Sequence, residues 1–323
     1  MNEPILLKSV GKDYLWGGTR LNDDFNLGIP CAPLAEAWVC SAHRNGPSFV
    51  PVLGCTLTQA IERHPEWLGT HAVTLADARL PILIKLIDAK QNLSVQVHPD
   101  DEQAAPEGDH GKTEMWYVME AKRGAQLICG FNREVSDKTV RDAALSGEIE
   151  SLLNRVQVHA NDVFFIEPGT VHAIGAGILI AEIQESSDLT YRLYDYGRTD
   201  KNGRRRELHL DKALGVINYG AGNSVRQPMR VLRYEPGYAS ELIARCRYFQ
   251  VKRLLLNTEV RRALARFQTT STSFHALLCI EGCGSISWEG GAVNFFKGDC
   301  FFIPANSVPM LLHGKAQLLD VSC

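Results

Sequence analysis

The chain has 323 residues, 45% hydrophobic and 22% charged, with 34 basic against 37 acidic side chains and a net charge of −3. At roughly 150 residues per domain this length reads as about two domains, each long enough to bury its own core. The slight acidic excess argues against a general nucleic-acid binder, which needs a basic surplus on one face. No stretch reaches the ~18 apolar residues that span a bilayer, since Lys85 interrupts the run Ile82 to Ile87.

Met1-Asn2-Glu3-Pro4 lacks the basic region of a secretory signal. The nine cysteines are odd in number, with no Cys-x-x-Cys, and Cys279 and Cys283 have no companion pair to complete a zinc ribbon. The expectation is reduced thiols in a cytoplasmic protein.

Along the chain, Thr56 to Leu68 places Leu57, Ile61 and Leu68 at helical spacing. Pro81 to Ile87, Leu93 to Val97 and Met115 to Met119 read as strands from their apolar, β-branched and aromatic content. Val135 to Val156 carries Val140, Ala144, Leu145, Ile149, Leu152 and Leu153 near a 3.6-residue period, which predicts a second helical insertion. Asp162 to Ile166 is a strand again. The run Arg204-Arg205-Arg206 reads as a solvated turn.

An internal repeat organises these pieces. Asp162-Val-Phe-Phe-Ile-Glu-Pro-Gly-Thr-Val-His172 aligns without gaps to Asp299-Cys-Phe-Phe-Ile-Pro-Ala-Asn-Ser-Val-Pro309. A hairpin centred on Gly124 is expected before the first copy, and one containing Gly282 and Gly284 before the second. The pattern predicts two β-sandwich units divided near Pro236-Gly237: residues 1–236 with helical insertions at about 54–70 and 132–156, and a smaller unit at 237–323. His172 closes the first copy and Pro309 the second, so the chemistry belongs to the first.

Side chains alternate along a strand, so Ser94, Gln96 and His98 share one face while Val95 and Val97 share the other. Lys112 and Glu114 likewise share a face, and Pro168-Gly-Thr-Val-His172 delivers a second histidine at the start of a strand. Each residue alone is an ordinary core or surface group. Together, two imidazoles and a carboxylate suit a divalent Zn, Fe or Mn ion, with Gln96 as a further oxygen donor. Downstream, Asp188, Arg192 and Arg198 add a carboxylate and planar guanidinium forks suited to a phosphate, with Lys112 as a point charge.

These residues resemble the type I phosphomannose isomerases, and most closely their short bacterial form. The resemblance runs through Leu15-Trp-Gly-Gly18, Glu36-Ala-Trp38, Ser94-Val-Gln-Val-His-Pro-Asp-Asp101 and Gly111-Lys-Thr-Glu-Met-Trp116. It continues through Pro168 to His172, Ser187-Asp188 and Tyr191-Arg-Leu-Tyr-Asp-Tyr-Gly-Arg198. It implies a mainly β fold of two cupin (jelly-roll β-sandwich) units, the C-terminal one without metal ligands. It also implies one Zn2+ per chain on Gln96, His98, Glu114 and His172, with Arg192 as the active-site arginine. Lys112 and Asp188 fall in the same pocket, with Trp16 and Ser94 beside the substrate. Val97 and Leu189 stand where long-form members carry Ala and Asn.

The implied reaction interconverts D-mannose 6-phosphate and D-fructose 6-phosphate through a cis-enediol, with a sugar phosphate as the small-molecule partner and neither nucleic acid nor membrane. Asp188, Lys112, His98 and a metal-bound water are alternative proton carriers, and spacing does not rank them. Two rival readings share the motif: a cupin-type iron dioxygenase, because two His and a carboxylate also bind non-haem iron, and a non-catalytic sugar-phosphate-binding bicupin. Gln96 and the nearby cations disfavour the first. The intact Lys112, Glu114 and Arg192 set disfavours the second.

Overall fold

Ile82–Ala89 and Ile178–Glu185 run antiparallel at the centre of the molecule with every residue buried. The computed structural model describes residues 2–76, 78–199, 202–222, 230–260 and 263–323. A largely apolar strand buried at every position has cover on both faces, and both faces are covered here. The two strands belong to a six-stranded sheet ordered Val163–Ile166, Glu114–Ala121, Ile178–Glu185, Ile82–Ala89, Glu36–Cys40 and Val10–Lys12. One face (Trp116, Val118, Ile178, Ile180, Ile87) meets a five-stranded sheet. The other (Met115, Tyr117, Leu179, Ala181, Ile84, Leu86) packs on Phe274, Ala276, Leu278 and Phe302 of the C-terminal sheet. Each such apolar side chain contributes about 1.5–3 kcal/mol by its burial.

The five-stranded sheet is ordered Leu153–Gln157, Gln126–Phe131, His172–Ala173, Val95–Val97 and Tyr191–Tyr194. Its outward side chains Val95 and Val97 pack under Val140, Ala144, Ile149, Leu152, Ala213 and Leu214. The strand parity read from the sequence therefore holds: valines toward the helices, Gln96 toward the six-stranded sheet.

The C-terminal sheet has nine strands, with the long pair His275–Trp288 and Met310–Ser322 at its middle. The leading strand Ile5–Leu7 pairs antiparallel with Cys300–Ile303 on that sheet, linking the start of the chain to its end. The architecture is mainly β and cupin-like, as expected. No helix among the described residues is long and apolar enough to cross a membrane.

The repeat is physical as well as textual. Asp162 accepts the His159 amide at 2.8 Å, and Asp299 accepts the Phe296 amide at 2.8 Å, each closing the turn that launches its Phe-Phe-Ile strand.

Three local expectations change. The stripe from Val135 to Val156 is helical only over Asp137–Ser146 and a 3-10 turn at Ile149–Leu152, then becomes the strand Leu153–Gln157. Ser136 caps the helix start, and Gly147 ends it at φ 79°, a left-handed conformation that glycine takes without penalty. The segment around Gly124 is not a hairpin: Glu114–Ala121 and Gln126–Phe131 lie in different sheets, and Gly124 turns the chain between them. Gly282 does not turn a hairpin either. It lies within the continuous strand His275–Trp288, beside a bulge between Cys279 and Glu281, and the turn comes at Glu289 and Gly290. The other helical insertion begins at Leu57 under a Thr56–Gln59 capping box, worth about 1 kcal/mol. After Pro65–Leu68 it continues as a helix through Gly69–Ala76.

Candidate active site and metal centre

Two strand starts and one strand end meet in the sandwich interior. His172 opens its strand and stands directly opposite Gln96, with Arg192 opposite Gln96 on the other side. His172, Gln96 and Arg192 therefore form one row across three neighbouring strands, each about 4.8 Å from the next. Glu114 opens its strand on the facing sheet, and His98 follows the Val95–Val97 strand.

Ligand atoms of His98, Glu114 and His172 all lie within 4.8 Å of one another, and the three side chains are buried. His98 Nε2 is 3.3 Å from Glu114 Oε1, and His172 Nε2 is 3.7 Å from Glu114 Oε2. The Gln96 amide lies 3.4 Å from His172 Nε2. His172 Nδ1 sits 2.8 Å from the Thr170 carbonyl, so it carries the proton and donates, leaving the Nε2 lone pair facing the cluster.

The electrostatics favour ligand-ready protonation states. Burial, then Lys112, pushes His98 down to about 3, so the ring is neutral. Burial likewise lowers His172. Burial alone would raise Glu114, but Lys112 and His98 outweigh it and hold the carboxylate well below its usual range. Neither Glu114 oxygen receives a hydrogen bond of good geometry, although Lys112 Nζ lies 2.8 Å from Oε1. An ionised carboxylate without good hydrogen bonds in a dry interior is costly. Such a carboxylate between two neutral imidazoles fits a divalent first-row metal.

Trp16, Ser94, Gln96, Lys112, Asp188 and Arg192 line one cavity of about 250 Å³, so every predicted substrate and catalytic residue meets there. Lys112 is buried, with Nζ 3.2 Å from His98 Nε2, rather than on a rim. Trp16 is buried beside Tyr14, with ring centroids 5.7 Å apart. Asp188 and Arg192 do not pair with each other. Asp188 accepts from Asn45 Nδ2 at 3.0 Å, and Arg192 Nη1 donates to the Glu207 carbonyl at 2.7 Å. Arg192 Nε is buried without a hydrogen-bond partner among the described residues. Arg198 turns instead to Asp195 and the Asn92 carbonyl.

Sequence reasoning passed over Tyr14, Glu36, Lys85, Glu182, Thr190 and Arg206, all of which line the same cavity. Lys85 faces Glu182 across paired strands, with Nζ 3.2 Å from Glu182 and 3.8 Å from Glu36. Burial alone would discharge Lys85, but the two carboxylates raise its pKa and hold the ammonium charged. Trp38 and Trp116 each donate at 2.8 Å, to Glu36 and Glu182 respectively. The available signal was a charge inside the otherwise apolar run Ile82 to Ile87, which burial tolerates only with partners. Arg206 corrects the reading of its basic run as a solvated turn: it reaches the cavity and pairs with Asp195, with Nη2 to Oδ1 at 2.5 Å and Nε to Oδ2 at 2.9 Å.

Comparison with known proteins matches two family models: phosphomannose isomerase type I, catalytic domain, over residues 5–134, and mannose-6-phosphate isomerase, cupin domain, over residues 240–323. A probable mannose-6-phosphate isomerase of Bacillus subtilis, GmuF, is 36% identical over 99% of both chains. The mannose-6-phosphate isomerase ManA of the same organism is 37% identical over 98% of both. A crystal structure of the mannose 6-phosphate isomerase from Bacillus subtilis superposes with a TM-score of 0.89 at 35% identity, covering 99% of each chain.

Proposed function

The chain belongs to the type I phosphomannose isomerase family, and we propose that it interconverts D-mannose 6-phosphate and D-fructose 6-phosphate using one zinc ion per chain. The observation that carries this reading is the buried His98, Glu114 and His172 cluster behind a cavity lined by Lys112, Asp188 and Arg192. Gln96, His98, Glu114 and His172 would hold the metal. Zinc bound there would supply a Lewis acid against the negative charge that develops on the oxygen beside the reacting carbons.

The protein's own groups do the rest. Exchange between an aldose and a ketose moves a proton between C1 and C2, and its carrier must reach both carbons. Glu36 and Glu182 are tied to Lys85, and Glu114 belongs to the metal cluster. Among the described residues, Asp188 is the cavity carboxylate with no cation partner, and Asn45 orients it. Asp188 is therefore the proton carrier in this reading. Lys112, at the metal end, stabilises the enediol oxygen. Arg192 holds the substrate's anionic end, Ser94 offers a hydroxyl, and Trp16 closes an apolar wall against water.

All of these residues lie within 1–236, to which we assign catalysis; the unit at 237–323 supplies no ligand. The nine free thiols support a reducing, cytoplasmic setting. Metal analysis of the purified protein, paired with a mannose 6-phosphate isomerisation assay before and after chelation, tests the proposal. Zinc near one equivalent, with activity lost on chelation and restored by zinc, is expected. Zinc-loaded protein that leaves the sugar phosphate unconverted would overturn it.

A further inference from the structure

Arg192, Arg198 and Arg206 converge beside the cavity, and Asp195 is the only carboxylate that pairs with any of them among the described residues. Asp195 takes Nε and Nη2 of Arg206 together with Nη2 of Arg198. That fork leaves Arg206 Nη1 unengaged by Asp195. Arg192 Nε is buried and without a hydrogen-bond partner among the described residues. The other cavity cations are already balanced, Lys85 by Glu36 and Glu182, and Lys112 by Glu114. Asp195 pairs with Arg198 and Arg206 and not with Arg192, so at this end of the cavity three guanidiniums meet one carboxylate partner among the described residues.

We infer that Arg206, held in place by Asp195, joins Arg192 to form the site that recognises the substrate's phosphate. The inference rests on the sugar-phosphate reading above and adds a residue to it. Arg192 stands one strand beyond Gln96 and two strands from His172, so roughly 10 Å separates the row's ends. A hexose with its reacting carbons near the metal residues can extend its phosphate along that row. Planar guanidiniums match phosphate oxygens two at a time, which a lysine cannot do. Asp195 is a positioning residue: it touches Arg206, not the substrate.

Arg206→Ala, Arg206→Lys and Asp195→Asn test this in the zinc-loaded protein. For Arg206→Ala, KM for mannose 6-phosphate should rise roughly 30-fold or more while kcat changes far less, since the lost contact is made equally in ground and transition states. Arg206→Lys should recover part of that loss by restoring the charge. Asp195→Asn should raise KM with an unchanged melting temperature and zinc content, a split that a merely structural role would not give. Calorimetric titration with inorganic phosphate supplies a readout without turnover, in which wild-type binding should weaken by a similar factor in Arg206→Ala. An Arg206→Ala protein with wild-type KM and wild-type phosphate affinity would overturn the inference. If wild-type protein fails to isomerise the sugar phosphate, the functional reading falls, and the phosphate titration alone decides the role of Arg206.

Discussion

Gln96 faces His172 across adjacent antiparallel strands, and its side-chain amide comes within 3.4 Å of His172 Nε2. The pairing places the Gln96 amide nitrogen beside an imidazole whose other nitrogen is already committed to Thr170. Strand register sets Gln96 against His172, while Glu114 opens a strand on the facing sheet and His98 stands just past the end of its own.

His172→Ala should remove metal and activity together. Deleting one of two imidazoles opens a cavity and costs the cluster its best-oriented donor. Zinc content should fall from about one equivalent to a small fraction of it by elemental analysis. Full occupancy in the variant would contradict the ligand role.

Arg192→Ala should keep its zinc and lose most of its catalytic efficiency, chiefly through a raised KM. The side chain lines the cavity one strand away from Gln96 and touches none of the metal residues in the cluster. Loss on the order of 100-fold or more in kcat/KM is expected for removing a partly buried charge-assisted contact. Simultaneous loss of metal and fold would make the residue structural instead.

Zinc uptake should release few protons between pH 6 and 8. Metal binding expels protons only from ligands that still carry them, and here His98 sits at about 3, His172 is lowered and Glu114 is held ionised. Calorimetry in buffers of different ionisation enthalpy should give a near-zero proton count. Release of one proton or more would show that the apo cluster is protonated.

Glu185 should make the protein less stable as pH rises from 5 to 8. Its carboxyl accepts the Thr113 amide at 2.7 Å, yet burial raises its pKa to about 7. The folded state therefore binds a proton that the unfolded state has already released above about 4.5, and stability falls as pH climbs through that window. The full effect is roughly 3 kcal/mol. Glu185→Gln keeps the acceptor and removes the titration, so its stability relative to wild type should grow from pH 5 to pH 8 in denaturant melts. A pH-independent difference would refute this.

Lys85→Met should destabilise the protein by about 3–5 kcal/mol, because Glu36 and Glu182 would remain buried without their cation. Adding Glu182→Gln should recover part of the loss. Additive effects in this double-mutant cycle would show that the two side chains do not interact.

The residues of the His98, Glu114 and His172 cluster were legible because each announces itself locally. A strand with Ser94, Gln96 and His98 on one face, and a histidine delivered by Pro168-Gly169, have few other uses. The Asp162 and Asp299 turns were legible for the same reason, since each closes on a residue three positions away. Lys85 left only a faint mark, a charge in an apolar run, because its partners come from other strands. Arg206 left none. The two residues before it are arginines too, and only the fold brings it against Asp195 and the cavity.

The sequence by itself determined the strand-rich character, the repeat, and the facing of Gln96 opposite to Val95 and Val97. Those depend on side-chain alternation and turn chemistry, which act over a few residues. Tertiary structure decided the rest: that the strands flanking Gly124 separate into two sheets, that Ile5–Leu7 joins the C-terminal sheet, and that six further polar or charged residues line the cavity. Pairings across long stretches of chain are chosen by how whole faces bury together, and no short window of sequence carries that energy.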